Sequence, residues 1–238
     1  MNLVDGRYLS AKIAEEVRVM VENLKFIPQL VVITCDPNFE TRKFLALKQA
    51  KAEAVGVKMK TVELPPESAT EQVLEVLKLE SKKAQGVIVQ LPLPKHIDTD
   101  LVLKSIPKAQ DVDRFDYVGE ETDILPPVVG AIDEIAKYHG VEWRNKKVVV
   151  FGQGRLVGEP ATLYAKNRGA EVSIITEDTK VVSSITKEAD IIILGVGQPN
   201  LLTKDMVKDG VVVFDAGASE DSGLLVGDAN PDVGSKAK

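Results

Sequence analysis

Short apolar runs alternate with helix-length amphipathic stretches from one end of this chain to the other, and that rhythm constrains the fold more than any single motif. The runs are Gln29–Cys35 (QLVVITC), Lys58–Leu64, Gly86–Gln90, Lys146–Phe151 (KKVVVF), Glu171–Thr176, Asp190–Val196 and Val211–Asp215. Between them, helices are predicted over Ser10–Leu24, over Glu40–Val55 with a stop at Gly56, from a Ser68/Glu71 capping box to about Lys83, over about Val129–His139, and from the glycine turn at Gly152 to about Arg168. Strands that alternate with helices pair in parallel through helical crossovers, so the class is α/β.

A polar, proline-containing stretch, Asp111–Pro127, divides the pattern into two units. The boundary is read as residues 1–139 for a first domain that includes a hinge helix, and 140–238 for a second, Rossmann-like domain with a parallel sheet. A chain of 238 residues with 44% hydrophobic content can form two such cores. Its formal charge of −6 lacks the basic footprint of a phosphate-backbone binder, so no nucleic-acid partner is expected. The apolar runs fall far short of the roughly 20 residues a membrane helix needs, so no membrane association is expected. Cys35 is the only cysteine and has no intrachain partner, and Met1–Ser10 lacks signal-peptide character. The expected compartment is the cytoplasm.

Gly152-Gln153-Gly154-Arg-Leu-Val-Gly158 follows a predicted strand and opens a helix, the setting in which glycines bring backbone amides close to a pyrophosphate. The spacing is GxGxxxG, and a simple tight turn is the competing reading. Glu177 ends the next strand, about 20 residues beyond the glycines, where an acid accepts hydrogen bonds from ribose hydroxyls. Asp178 follows it, and no Arg or Lys stands between Glu171 and Thr179 to receive a 2′-phosphate. The pair therefore favours NAD over NADP as the cofactor, against the alternative that both are solvated turn carboxylates.

In the first unit, Lys48 shares a helical face with Phe44, Ala52 and Val55, which would hold an ammonium against apolar surface, and Lys51 falls near the same face. Either lysine can be a proton carrier or a snorkelling side chain. Gln90 ends a strand before Leu91-Pro92-Leu93-Pro94, where the prolines force a turn and leave the strand end open to a ligand. Asp111 and Asp113 are a loop pair whose ordinary role is solvation. His96 and His139 read as surface groups, Cys35 as packing, and no metal-ligand spacing occurs.

Together these segments resemble the bifunctional methylenetetrahydrofolate dehydrogenase/methenyltetrahydrofolate cyclohydrolase family across nearly the whole chain. The matching stretches are Gly86-Val-Ile-Val-Gln-Leu-Pro-Leu-Pro94 with Lys95-His96-Ile97-Asp98, Asp111-Val-Asp-Arg-Phe115, Gly152 to Pro160, Val196-Gly-Gln-Pro199 and Phe214-Asp-Ala-Gly217. The resemblance implies a folate-binding first domain and an NAD(P)-binding second one. It selects Lys48 over Lys51 as the catalytic lysine, with Gln90 tuning it and Asp113 holding the amino-pyrimidine edge of the pterin. Phe44, Leu91 and Pro92 would complete the substrate site. Gly152, Gln153, Gly154, Gly158, Glu177, Gly197 and Ala218 would bind the cofactor. The implied reaction oxidises methylene-tetrahydrofolate and then hydrolyses the methenyl product, with a homodimer as the implied assembly.

The chain departs from the family pattern at definite places. Phe44 stands where the family has tyrosine, and Arg114 replaces a glycine, which sets it either to bind a folate's glutamate tail or to obstruct the pocket. Leu125-Pro-Pro-Val-Val-Gly130 replaces a Pro-Cys-Thr-Pro stretch. Gln153-Gly154 and Glu177-Asp178 replace residues suited to a 2′-phosphate, in agreement with NAD. The sequence ends at Lys238, before the Pro-Val-Pro-Gly-Gly-Val-Gly-Pro segment and terminal helix usual in the family. Two alternatives remain: a degenerate relative that binds folate or dinucleotide without turnover, and a different two-domain dehydrogenase that would leave the proline corner unexplained.

Overall fold

The computed structural model describes residues 4–120, 124–221 and 224–238. Contacts divide it into two units, Asp5–Asp116 and Tyr117–Lys238, the latter together with Val4.

In the first unit, α1 (Gly6–Glu22), β1 (Gln29–Cys35), α2 (Phe39–Ala54), β2 (Lys58–Leu64), α3 (Thr70–Ser81), β3 (Gly86–Val89) and α4 (Thr99–Lys104) follow one another. The sheet order is β2-β1-β3, all parallel. Its central strand β1 and β3 are buried on both faces, as crossover helices require, while edge strand β2 is largely exposed. Val31, Ile33 and Cys35 point toward Val73 and Leu77 of α3 and Val102 and Leu103 of α4. The intervening Val32 packs with Leu45 and Ala52 of α2 on the opposite face. The chain leaves β1 for one neighbour and later returns to the other, so the sheet's topological switch lies between β1 and β3. Ligands of open parallel sheets bind at the carboxyl ends of such strands.

The second unit runs α5 (Pro127–His139), β4 (Lys147–Phe151), α6 (Gly158–Asn167), β5 (Glu171–Ile175), α7 (Val182–Thr186), β6 (Ile191–Leu194), β7 (Val212–Asp215), β8 (Ser219–Asp221) and β9 (Leu224–Val226). The parallel order β5-β4-β6-β7 puts the switch between β4 and β6, and β8 and β9 pair antiparallel. Val148, Val150, Ile191 and Ile193 face α5 and α6, while Val149, Phe151, Ile192 and Leu194 face Leu202, Val207 and Val211.

Several predicted boundaries shift. Val129, Ile132 and Ala136 of α5 share a core with β4, so this helix packs with the second unit, where the sequence reading had grouped it with the first. Buried Asp133 of α5 fixes it there by accepting from Tyr164 Oη at 2.7 Å and Arg168 Nη2 at 2.9 Å, both on or beside α6. The Ser68/Glu71 cap is displaced by one residue: Ala69 is the N-cap, and Gln72 Oε1 accepts its backbone N–H at 2.7 Å. The helix after the glycine turn starts at Gly158, because residues 152–157 form the turn itself.

Candidate active site

The first-unit site is built where α2 faces the end of β3. β1 extends its ladder past β3, with the Gln90 N–H donating to Ile33 O at 2.8 Å, so Gln90 is held at the carboxyl end of the switch-point strand. Its side-chain amide is oriented from both ends. Nε2 donates to Leu91 O at 2.8 Å, which turns Oε1 to accept from Lys48 Nζ, also at 2.8 Å. The Leu91–Pro92 peptide bond is cis. Lys48 is half-buried whereas Lys51 is exposed, so the structure separates the two lysines that periodicity could not. Burial lowers the Lys48 pKa, opposed by the carboxylate of Asp113. Burial raises the Asp113 pKa, opposed by Lys48 and reinforced by Asp111. An amine brought toward its neutral form beside a carboxyl that resists ionisation is a pair suited to proton traffic.

Asp111 is no solvated loop acid. It is 7% exposed, and its carboxylate accepts from the N–H groups of Asp113 at 3.1 Å, Arg114 at 3.0 Å and Phe115 at 2.8 Å. Its own residue bridges to Val87 of β3. The loop carrying Asp113 is thereby tied to the strand that carries Gln90. Arg114 has φ +54°, a left-handed conformation that glycine adopts freely. Its side chain, 12% exposed, turns its Nε onto Asp116 at 3.5 Å, and Lys108 reaches the same carboxylate at 3.1 Å. Arg114 thus lies beside an acid of its own loop, within ion-pair distance of Asp116. Phe44 is 43% exposed on α2, one turn before Lys48, and Pro92 is exposed beside half-buried Leu91.

In the second unit the glycine turn sits on the switch point. Gly152 has φ +81°, and its N–H donates to Ile175 O at 2.8 Å. A Cβ on Gly158 would lie 2.3 Å from Gly152 O, so the helix start approaches the strand end as only glycine permits. A Cβ on Gly154 would meet nothing within 4 Å; the turn therefore offers open space in front of the N-terminus of α6, the shape that a pyrophosphate would fill. Glu177 and Asp178 are exposed at the carboxyl end of β5. Gly197, φ +74°, and exposed Ala218 lie after β6 and β7. These residues fit a nicotinamide dinucleotide.

Two carboxylates at this edge escaped the sequence reading. Asp228 accepts three backbone N–H groups after β6, and Asp215 accepts three more, including those of Asp228 and Ala229. The only sequence signal is a glycine near each acid, Gly217 and Gly227. His96, exposed, contacts Ser68 O through Nε2 at 3.0 Å, His139 is exposed, and buried Cys35 donates to Pro65 O at 3.1 Å. Among the described residues no group of three His, Cys, Asp or Glu is placed to hold a metal, and no helix is long and apolar enough to cross a membrane. An apolar groove of about 830 Å³ between α5 and β7 is lined by Asp215 but by none of the residues that the sequence singles out for substrate or cofactor.

Fold and site together define a two-domain α/β NAD(P)-binding protein with a lysine–glutamine centre in its first domain. A family model for the tetrahydrofolate dehydrogenase/cyclohydrolase catalytic domain matches residues 4–113, and one for the NAD(P)-binding domain of the same enzymes matches 126–238. The chain belongs to the tetrahydrofolate dehydrogenase/cyclohydrolase family. It is 35% identical to the bifunctional protein FolD of Nautilia profundicola, over 97% of this chain and 85% of that one. Its fold superposes on the FolD methylenetetrahydrofolate dehydrogenase/cyclohydrolase of Campylobacter jejuni with a TM-score of 0.93 at 34% identity, covering 98% of this chain and 88% of the other. The Trypanosoma brucei enzyme, solved with NADP cofactor and inhibitor, gives 0.91 at 28% identity, covering 99% and 88%.

Proposed function

We propose that this chain oxidises 5,10-methylene-tetrahydrofolate to 5,10-methenyl-tetrahydrofolate with NAD(P) and hydrolyses that product to 10-formyl-tetrahydrofolate. The observation that carries the reading is the Lys48–Gln90 hydrogen bond at 2.8 Å with the Asp113 charge acting on the same lysine. Asp113 accepts the paired N–H donors of the pterin's amino-pyrimidine edge, an arrangement that suits a carboxylate. Gln90 aims the Lys48 Nζ, and the open faces of Phe44, Leu91 and Pro92 receive the substrate ring. When bound, NAD(P) accepts hydride from the one-carbon methylene. For the hydrolytic step, Lys48 takes a proton from the water that adds to the methenyl carbon, its lowered pKa making a neutral amine accessible; the bond from that carbon to N5 then breaks, N5 is protonated, and the hydroxyl proton is released as the formyl carbonyl forms.

Gly152, Gln153, Gly154, Gly158 and Gly197 shape the dinucleotide site, and Ala218 borders it. Glu177 takes the ribose hydroxyls, and with Asp178 it disfavours a 2′-phosphate, so NAD is the preferred cofactor. The domain division runs near residue 117, in keeping with the packing of α5 against β4. By the same family resemblance the protein works on tetrahydrofolate derivatives as a homodimer in the cytoplasm.

The test is the initial rate of methylene-tetrahydrofolate oxidation by the purified chain with NAD and NADP in parallel. Faster turnover with NAD supports the whole reading. Preference for NADP removes the role of Glu177 and keeps the enzyme. No turnover by folded protein with either cofactor overturns the assignment.

A further inference from the structure

Asp228 has no ligand-facing surface, being 0% exposed, yet it is tied to the loop that the sheet topology places beside the dinucleotide. Its Oδ2 accepts from Val196 N at 2.7 Å and Gly197 N at 3.2 Å, and its Oδ1 from Gln198 N at 2.7 Å. Those residues leave the carboxyl end of β6, which pairs with β4, the strand that feeds the glycine turn. The order β5-β4-β6-β7 gives the direction of the ligand. With the adenosine ribose at Glu177 after β5 and the pyrophosphate at Gly154 after β4, the nicotinamide half extends toward β6. Asp228 therefore holds the turn that faces the reacting end.

The carboxylate is itself built in. Asp215, ending β7, accepts Asp228 N at 3.1 Å through Oδ1 and Ala229 N at 2.8 Å through Oδ2. A Cβ on Gly217 would lie 2.3 Å from Asp228 Oδ1, and one on Gly227 2.2 Å from Asp215 Oδ2, so each acid is seated against a glycine that leaves it room. Gly195 closes the other side: its missing Cβ would be 2.4 Å from Val157 Cγ1, a residue of the glycine turn. The two turns of the switch point are thus interlocked, and a shift at Asp228 reaches both.

We infer that Asp228 is a positioning residue for dehydrogenation: its buried carboxylate gathers the Val196, Gly197 and Gln198 amides and so fixes the wall against which the nicotinamide half of the cofactor lies. The inference rests on the proposed dehydrogenase reading. It predicts a phenotype confined to the dinucleotide, because the amides that Asp228 gathers all belong to the second unit.

The experiment compares the parent chain with Asp228→Asn and Gly217→Ala. Parent activity comes first; its absence would count against the proposed function and says nothing of Asp228. In Asp228→Asn one oxygen must serve amides that two served before, and the charge is gone. The dinucleotide KM should rise, or kcat for hydride transfer fall, by roughly ten- to a hundredfold, with the KM for methylene-tetrahydrofolate and the cyclohydrolase rate unmoved. Gly217→Ala pushes the same carboxylate from behind and should give the same selective loss; it decides the matter if the asparagine variant does not fold. Folded variants that keep parent dinucleotide kinetics, or that lose both activities in proportion to a lowered melting temperature, overturn the inference.

Discussion

The Lys48 ammonium donates to Gln90 Oε1 at 2.8 Å, joining the middle of α2 to the residue that ends β3. Lys48→Ala should therefore depress methenyl-tetrahydrofolate hydrolysis by about 10²- to 10⁴-fold, the usual scale for losing a positioned acid–base group, and hydride transfer by less. Separate spectrophotometric assays of the two half-reactions check the ratio; equal losses would remove the proton-transfer role.

The same lysine should cost stability. Folding lowers its pKa, so the charged form is disfavoured in the native state at every pH below the folded pKa, and that cost fades as pH rises through it. Lys48→Met keeps the apolar stem and deletes the charge. Its melting temperature should exceed the parent's at neutral pH, with the difference shrinking in alkaline buffer.

Asp113→Asn should move the pH profile. The carboxylate of Asp113 raises the Lys48 pKa against the effect of burial, so removing it lowers that pKa further. The limb of the cyclohydrolase profile governed by Lys48 should shift to lower pH, measured as kcat at saturating folate because substrate affinity also falls.

Much of this architecture was readable from the chain, and the misses have physical causes. β1 and β2 fall on their predicted bounds: β1 is a buried run closed by Asp-Pro, and β2, largely exposed, is stopped by Pro-Pro. α4 and α7 escaped because six and five residues are too few to display a helical period. The β8–β9 hairpin lies among acids and glycines with no alternating apolar face to announce it. α5 was assigned across the boundary because periodicity reveals an apolar face without revealing what covers it. The residues alone singled out Lys48 with Lys51 beside it, Gln90 and an acidic loop pair, and only the resemblance gave Lys48, Gln90 and Asp113 their expected roles. Asp111 and Asp228 were missed for one reason: an acid whose partners are backbone amides leaves no pattern in side-chain identity.

The glycine turn separates shape from binding. Gly158→Ala puts a Cβ 2.3 Å from Gly152 O and should destabilise the second unit by about 1–3 kcal/mol, as overpacking does. Gly154→Ala meets no neighbour within 4 Å, so it should fold normally yet raise the dinucleotide KM about tenfold, because the methyl occupies the space before α6. Calorimetry and dinucleotide titration distinguish the two; an unaffected Gly154→Ala would reduce the motif to a plain turn.

Cofactor choice should be portable. Replacing Glu177 by Ser and Asp178 by Arg removes the repulsion of a 2′-phosphate and supplies a fork to bind it. The double variant should gain about tenfold or more in kcat/KM for NADP, at the expense of NAD.

The loop after α4 divides its labour between neighbours. Asp111 gives its carboxylate to the loop's own amides, while the charge of Asp113, two residues on, acts on Lys48. A chain organised this way can change residue 113 without losing the loop that presents it. Under the proposed function, single substitutions at 113 would present other groups to the heterocyclic edge, and selection would act on what is bound before it acted on whether the domain folds.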